Sequence, residues 1–291
     1  MRPDLEGVPE TALWTLHLRA TEARRRDAVL HDPWAVELVE RIDHPFAQRF
    51  GTELGLAAQW QALRSRTFDD AVRRFQADCP GGLVVALGEG LETGFWRTDD
   101  GRVRWLSVDL PATAELRRAL LPDEERRRTI AASVLDDDWL DEVDAAHGVL
   151  LLAQGVLMYL RPPDVHALFD RCAARFPGAA LVFDTAPRWF AMLASRGLLR
   201  TPSGYVAPPM PWGFDLLERR RLARRPGIAR LRELRLPPGR GAALGLAYPL
   251  LDRAPLLGDV TMRVLEARFA GDQGRTPSID SSAALRSSPP V

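Results

Sequence analysis

The chain has 291 residues, room for one large α/β domain or two small ones, and with 46% of them apolar it has enough for a sizeable core. Its 39 basic residues balance 39 acidic ones, so the net charge of zero favours neither nucleic acid nor an anionic membrane as partner. All the basic residues are arginine, which excludes lysine Schiff-base chemistry, and Cys79 and Cys172 form neither a metal spacing nor a disulfide framework.

Near the N-terminus Asp4 and Glu6 interrupt any apolar core region, so no signal peptide is expected. The longest apolar stretch, Val149 to Leu160, is broken by Gln154 and is too short to span a bilayer. A soluble, cytoplasmic protein is the expectation. Helical spacing runs through Val8, Ala12, Leu13, Leu16 and Ala20, predicting a helix within 8–26. Asp32-Pro33 marks a second start, with Asp32 as N-cap and Pro33 at the first helical position. Leu56, Trp60, Leu63, Val72 and Phe75 keep one face apolar over 56–77, and Pro80-Gly81-Gly82 ends a helical cap of about 80 residues.

From 83 the rhythm alternates, with strands predicted at 83–87, 104–108, 129–132, 148–153 and 179–184. Strands separated by helical segments imply a parallel sheet covered on both faces. Residues 185–225 break the alternation with Arg188-Trp189-Phe190, Tyr205 and a proline-rich run, an insertion suited to a lid or a binding wall. Two more strands are predicted at 230–236 and 261–269, closing a single unit over 1–270. From Gly271 to residue 291 Ser, Pro, Gly and Asp dominate, and a disordered tail is expected.

The strongest local signal is Leu83-Val84-Val85-Ala86-Leu87 followed at once by Gly88-Glu89-Gly90. Five apolar residues suit a strand buried on both faces. Two glycines one residue apart then allow a sharp turn with room for a ligand against the backbone. The spacing Gly88, Gly90, Gly94 is looser than the dinucleotide fingerprint. Asp109 ends the next predicted strand about 20 residues on, where a nucleotide-binding sheet places the carboxylate for ribose hydroxyls. These features suit NAD and S-adenosylmethionine equally.

Among titratable residues His17 is the leading base candidate, because its helix belongs to the cap; His31, His44, His147 and His166 read as structural or exposed. Tyr159 is either an acceptor-orienting hydroxyl or a core tyrosine. Trp14, Tyr205, Met210 and Trp212 form either a flat apolar pocket for an aromatic acceptor or ordinary packing. The five arginines between Arg219 and Arg225 read as a solvated helix face.

Six strings occur in a family's order. They are Ala12-Leu13 with Arg19-Ala20, Asp32-Pro33, Arg64-Ser65-Arg66, Gly88 to Thr93, Val108-Asp109-Leu110-Pro111 and Gly155 to Leu160. Together, over about residues 5–270, they resemble the leucine carboxyl methyltransferase family, which uses S-adenosyl-L-methionine. The fuller strings Gly88 to Arg97, Trp105 to Pro111, Gln154 to Leu160 and Met210 to Gly213 are similar to its branch in tetracenomycin polyketide synthesis. The resemblance implies a Rossmann-like methyltransferase fold, with a seven-stranded, mostly parallel sheet, its last strand antiparallel, and helices capping the site.

It implies roles too. Arg66 would pair with the cofactor's methionine carboxylate, Gly88 and Gly90 would pass close to that end, Asp109 would hold the ribose, and Arg19 matches a basic family position more loosely. Ser133-Val134 stands where the family has Asp-Leu against adenine, and Gln154 stands where it has Glu. Both departures remove a carboxylate near a cationic cofactor. The function implied is O-methylation, of a carboxylate or a phenol, on an aromatic polyketide-like small molecule; the alternatives are a nicotinamide-dependent oxidoreductase and a non-catalytic relative. A carboxylate is already ionised at neutral pH and needs no base, whereas a phenol would gain from one.

Overall fold

The computed structural model describes residues 3, 5, 7–52, 54–247 and 260–271; the tail expected beyond Gly271 lies outside them. The chain begins with helices α1 (Thr11–Ala23), α2 (Pro33–Arg41), α3 (Phe46–Phe50) and α4 (Gly55–Asp78). Asp32 caps α2, its carboxylate accepting the Ala35 N–H at 3.0 Å, with Pro33 in the first turn where no N–H is needed. Alternation follows: β1 (Leu83–Leu87), α5 (Gly94–Thr98), β2 (Arg104–Asp109), α6 (Pro111–Leu120), β3 (Arg127–Ala131), α7 (Asp138–Asp141) and β4 (Val149–Ala153). After a short 3₁₀ turn at Leu157–Tyr159 come α8 (Pro162–Arg175), β5 (Ala180–Thr185), α9 (Arg188–Ser195), α10 (Leu216–Ala223), β6 (Ile228–Leu234) and β7 (Arg263–Phe269).

The seven strands lie in the order β3-β2-β1-β4-β5-β7-β6, and β7 alone runs antiparallel to its neighbours β5 and β6. The unbroken apolar run of β1 is explained by its two covered faces. Leu83, Val85 and Leu87 face the layer of α7 and α8, packing in one cluster with Trp139, Leu168 and Phe169. Val84 and Ala86 face the opposite layer, with Phe68 and Val72 of α4 and Phe95 of α5. The cap has its own cluster, in which Leu13 and Leu16 of α1, Leu38 of α2 and Phe50 of α3 meet Leu116 and Leu120 of α6. Helices α1, α2 and α3 of the cap therefore gather against α6, while α4 lies against a face of the sheet.

The strand order reverses between β1 and β4. A crevice opens there outside the carboxyl ends of the strands, which is where open α/β sheets bind ligands. The 185–225 insertion contains two helices, α9 and α10.

Candidate active site

Two cavities adjoin at the carboxyl ends of the strands. The first, of about 280 Å³, lies between the Gly88-Glu89-Gly90 turn, Asp109, the segment Ala132-Ser133-Val134, Gln154 and α1. The second, of about 290 Å³, is walled by Trp14, Trp60, Met158, Phe190, Tyr205 and Met210. Thr11, Thr15, Arg64, Gly155 and Tyr159 line both, so these five residues form the passage between them.

The glycine turn exists because Gly88 and Gly90 both have positive φ, +59° and +60°, a conformation that L side chains rarely adopt. The space above each is taken by protein: a Cβ on Gly88 would stand 2.6 Å from Val156 Cγ2, and one on Gly90 would stand 3.0 Å from Ala12 Cβ. Arg117 of α6 braces the turn, donating to the carbonyls of Gly90 at 2.7 Å and Glu92 at 3.0 Å and pairing with Glu89 at 2.8 Å.

Asp109 ends β2 beside this turn. Its Oδ1 accepts the Gly90 N–H at 2.9 Å, while its Oδ2 is buried with no partner among the described residues. Burial pushes the Asp109 carboxyl up to about 7, against the pull of the Arg117 guanidinium. A buried carboxylate oxygen without a donor, at the edge of a nucleotide-sized cleft, suits a ligand that brings hydroxyl donors.

Gln154 follows β4, and its amide donates to Ser65 Oγ at 3.1 Å and to Glu92 at 3.4 Å. Glu92 in turn is held by Arg19 at 2.6 Å and Arg97 at 2.6 Å. Burial works against its charge, yet the two guanidiniums keep its carboxyl below the usual range. At the passage Arg64 pairs with Asp184 at 2.5 Å, and the Gly155 N–H donates to the other Asp184 oxygen at 2.6 Å.

The structure brings Gly88, Gly90, Asp109, Ser133, Val134 and Gln154 to the first cavity, and Trp14, Tyr159, Tyr205 and Met210 to the second. It does not bring four of the expected residues to either. Arg66 lies on the other side of α4 and donates to the Val29 carbonyl at 3.0 Å; the arginine of that string which lines the cavities is Arg64. Two residues along a helix are about 200° apart, so only one arginine of Arg-Ser-Arg can face the site. Arg19 stands behind the cleft, tied to Asp32 at 3.2 Å, to the Leu91 carbonyl at 2.6 Å and to Glu92.

Trp212 is core, packed against Phe183 and Phe214, with Nε1 donating to Glu218 at 3.1 Å. His17 turns away to the Gly51 carbonyl at 3.1 Å and stacks on Phe46, and burial lowers its pKa. Reading the sequence missed Arg64, Glu92, Asp184 and Trp60. Helical spacing held a clue to the first, since Arg64 lies four residues after Trp60, a residue of the apolar face. Asp184 carries no local signal, because its role comes from a partner 120 residues away.

Among the described residues no group could hold a metal ion, and no helix is long and apolar enough to cross a membrane. The family model for leucine carboxyl methyltransferase matches residues 12–173. Over 212 residues the chain is 36% identical to the tetracenomycin polyketide synthesis O-methyltransferase TcmP of Streptomyces glaucescens, covering 72% of this chain and 76% of that one. A Saccharopolyspora erythraea protein that carries an S-adenosyl-L-methionine-dependent methyltransferase name is 30% identical over 285 residues, covering 87% and 93%. The solved CurJ carbon methyltransferase aligns with 90% of this chain and 68% of its own at 14% identity and a TM-score of 0.52, a likeness of fold alone.

Proposed function

The chain belongs to the leucine carboxyl methyltransferase family and is an S-adenosyl-L-methionine-dependent methyltransferase, and we propose that it methylates a carboxylate oxygen of an aromatic small molecule. Membership of this family sets aside the nicotinamide-dependent alternative. Residues 1–270 are taken as one methyltransferase unit in which the 185–225 insertion forms the acceptor wall.

The residues of the first cavity fit the cofactor. Asp109, with its unpartnered oxygen, would take the ribose hydroxyls, and Ser133 and Val134 would border the adenine. Arg64 would take the methionine carboxylate, because it is the guanidinium that lines the cleft. When bound, S-adenosylmethionine supplies a sulfonium methyl group, which passes to an acceptor oxygen while the broken C–S bond returns its electron pair to sulfur.

The protein's part is alignment and exclusion of water, and proximity alone can contribute roughly 7–11 kcal/mol. Tyr159 stands in the passage as a hydroxyl donor for the acceptor oxygen, while the Thr11 and Thr15 hydroxyls donate to the Val8 and Ala12 carbonyls. Trp14, Trp60, Phe190 and Tyr205 would wall a flat ring, with Trp14 stacked on Tyr205 at a centroid distance of 5.7 Å.

One observation carries the choice of a carboxylate. Among the described residues no group in the passage is suited to take a proton: neither lining holds a histidine, burial pushes the Tyr159 hydroxyl up to about 12, and both Asp184 oxygens are engaged by Arg64 and Gly155. An acceptor that arrives already ionised meets that condition. The test is incubation with S-adenosylmethionine and either anthracene-2-carboxylate or 2-hydroxyanthracene. The expected product is an alkali-labile methyl ester from the first; methylation of the phenol alone would overturn the carboxylate reading.

A further inference from the structure

The walls of the second cavity are mostly apolar, yet two buried polar side chains among them have no hydrogen-bond partner. Gln61 of α4 is 3% exposed, and its Nε2 meets no acceptor among the described residues. It stands one helical turn before Arg64, on the face that α4 presents to the cavity. Gln59, two residues earlier and about 200° round the helix, has a partner, since its Oε1 accepts the Arg240 N–H.

Tyr205, in the 185–225 insertion, is also 3% exposed, and its hydroxyl has no partner among the described residues. The rest of the residue is held on several sides. Its N–H donates to Thr201 Oγ1 at 3.0 Å, and its ring stacks on Trp14 and meets Phe50 edge-on with centroids 5.0 Å apart. The Arg49 guanidinium lies 5.0 Å over the same ring. Burial pushes the Tyr205 hydroxyl up, so it stays protonated and can donate.

Neighbouring polar groups of the lining are engaged within the protein: Thr15 with the Ala12 carbonyl, Arg64 with Asp184, and Thr201 with Ser203. A buried donor without an acceptor destabilises a fold, and two of them in one ligand-sized cavity call for an acceptor from outside the protein. An oxygen on the ring system of a bound molecule is such an acceptor. Resting on the acceptor reading above, we propose that Gln61 and Tyr205 are specificity-determining residues that donate to ring oxygens of the acceptor. The acceptor is then an oxygenated aromatic acid, of quinone or phenol type, and not a bare hydrocarbon one. An unoxygenated ring leaves both donors unpaired and is rejected for that reason.

The test compares two acids of one ring skeleton, anthraquinone-2-carboxylate, which carries ring carbonyl oxygens, and anthracene-2-carboxylate, which carries none. Equilibrium dialysis against protein saturated with S-adenosylhomocysteine reads their affinities without methyl transfer. The wild-type protein is expected to bind the quinone about five- to 150-fold more tightly, the range for a buried polar group left unpaired. Gln61→Met and Tyr205→Phe, close in size to the residues they replace, are each expected to shrink that ratio. The double variant Q61M/Y205F is expected to bring it within about twofold of unity. Equal affinities in the wild-type protein, equal weakening of both acids in the variants, or a preference that survives the double variant would overturn the assignment. Binding of S-adenosylhomocysteine with neither acid bound would overturn the aromatic-acid reading and this one with it.

Discussion

The Arg64 guanidinium and the Asp184 carboxylate meet at 2.5 Å where the two cavities join, and both are almost fully buried. The pair links α4 of the cap to the end of β5, so one contact fixes the cap over the sheet and presents a cation to the cleft. Removing one partner strands the other charge in a dry site, whereas removing both does not. Arg64→Ala should therefore cost about 3–5 kcal/mol of stability, while R64M/D184N should recover most of it. The double variant should still bind S-adenosylhomocysteine at least tenfold more weakly, since its carboxylate has lost its cation. Urea denaturation and titration of the three proteins separate the two effects, and full affinity in the folded double variant would remove Arg64 from the site.

Asp109 makes stability and cofactor affinity move in opposite directions with pH. Its carboxyl titrates at 3.8 when unfolded and at about 7 in the fold, so the folded protein holds the proton longer. Stability falls as pH rises from 3.8 to about 7 and is flat above that. Hydroxyl donors on the Asp109 side favour the ionised form, so affinity for S-adenosylhomocysteine should rise toward pH 7 and level off. Asp109→Asn should flatten both curves and raise stability at pH 8. Parallel pH series of thermal unfolding and calorimetry check this; an unchanged slope in the variant would contradict it.

Arg66→Ala should alter cofactor affinity by less than about twofold, because its hydrogen bond to the Val29 carbonyl lies outside the cleft. The expected cost is a small loss of stability, about 0.5–1.5 kcal/mol, the net worth of a single hydrogen bond. A loss of affinity of about tenfold or more would show that the guanidinium reaches the cofactor.

Gly88→Ala should destabilise the fold by about 1–3 kcal/mol through backbone strain, with a further loss from the clash with Val156. Adding Val156→Ala should restore the part due to the clash and not the part due to φ. Denaturation midpoints of the single and double variants give the two parts; complete recovery would mean that the turn imposes no backbone demand.

Patterns read along the chain already determined the strand-turn-strand core. β1 is legible because a strand covered on both faces must be apolar at every position, and the Gly88-Gly90 turn because positive φ leaves few residue choices. Asp109 is legible because the distance from a glycine turn to the next strand end is set by one helical crossover. Such demands are local, so a short window of residues carries them. What the tertiary structure decided is which side chains face the ligand. Arg64 and Arg66 are chemically alike and two residues apart, and only the packing of α4 against the sheet turns the first inward. Trp212 and Trp60 are both aromatic residues of the right kind, yet Phe183 and Glu218 enclose one while the other lines a cavity. Glu92 draws its role from Arg19 and Arg97, and Asp184 from Arg64, partners set by the docking of the cap. Charge balance in a buried site is a property of the assembled neighbours, and a sequence lists its residues without saying which of them will meet.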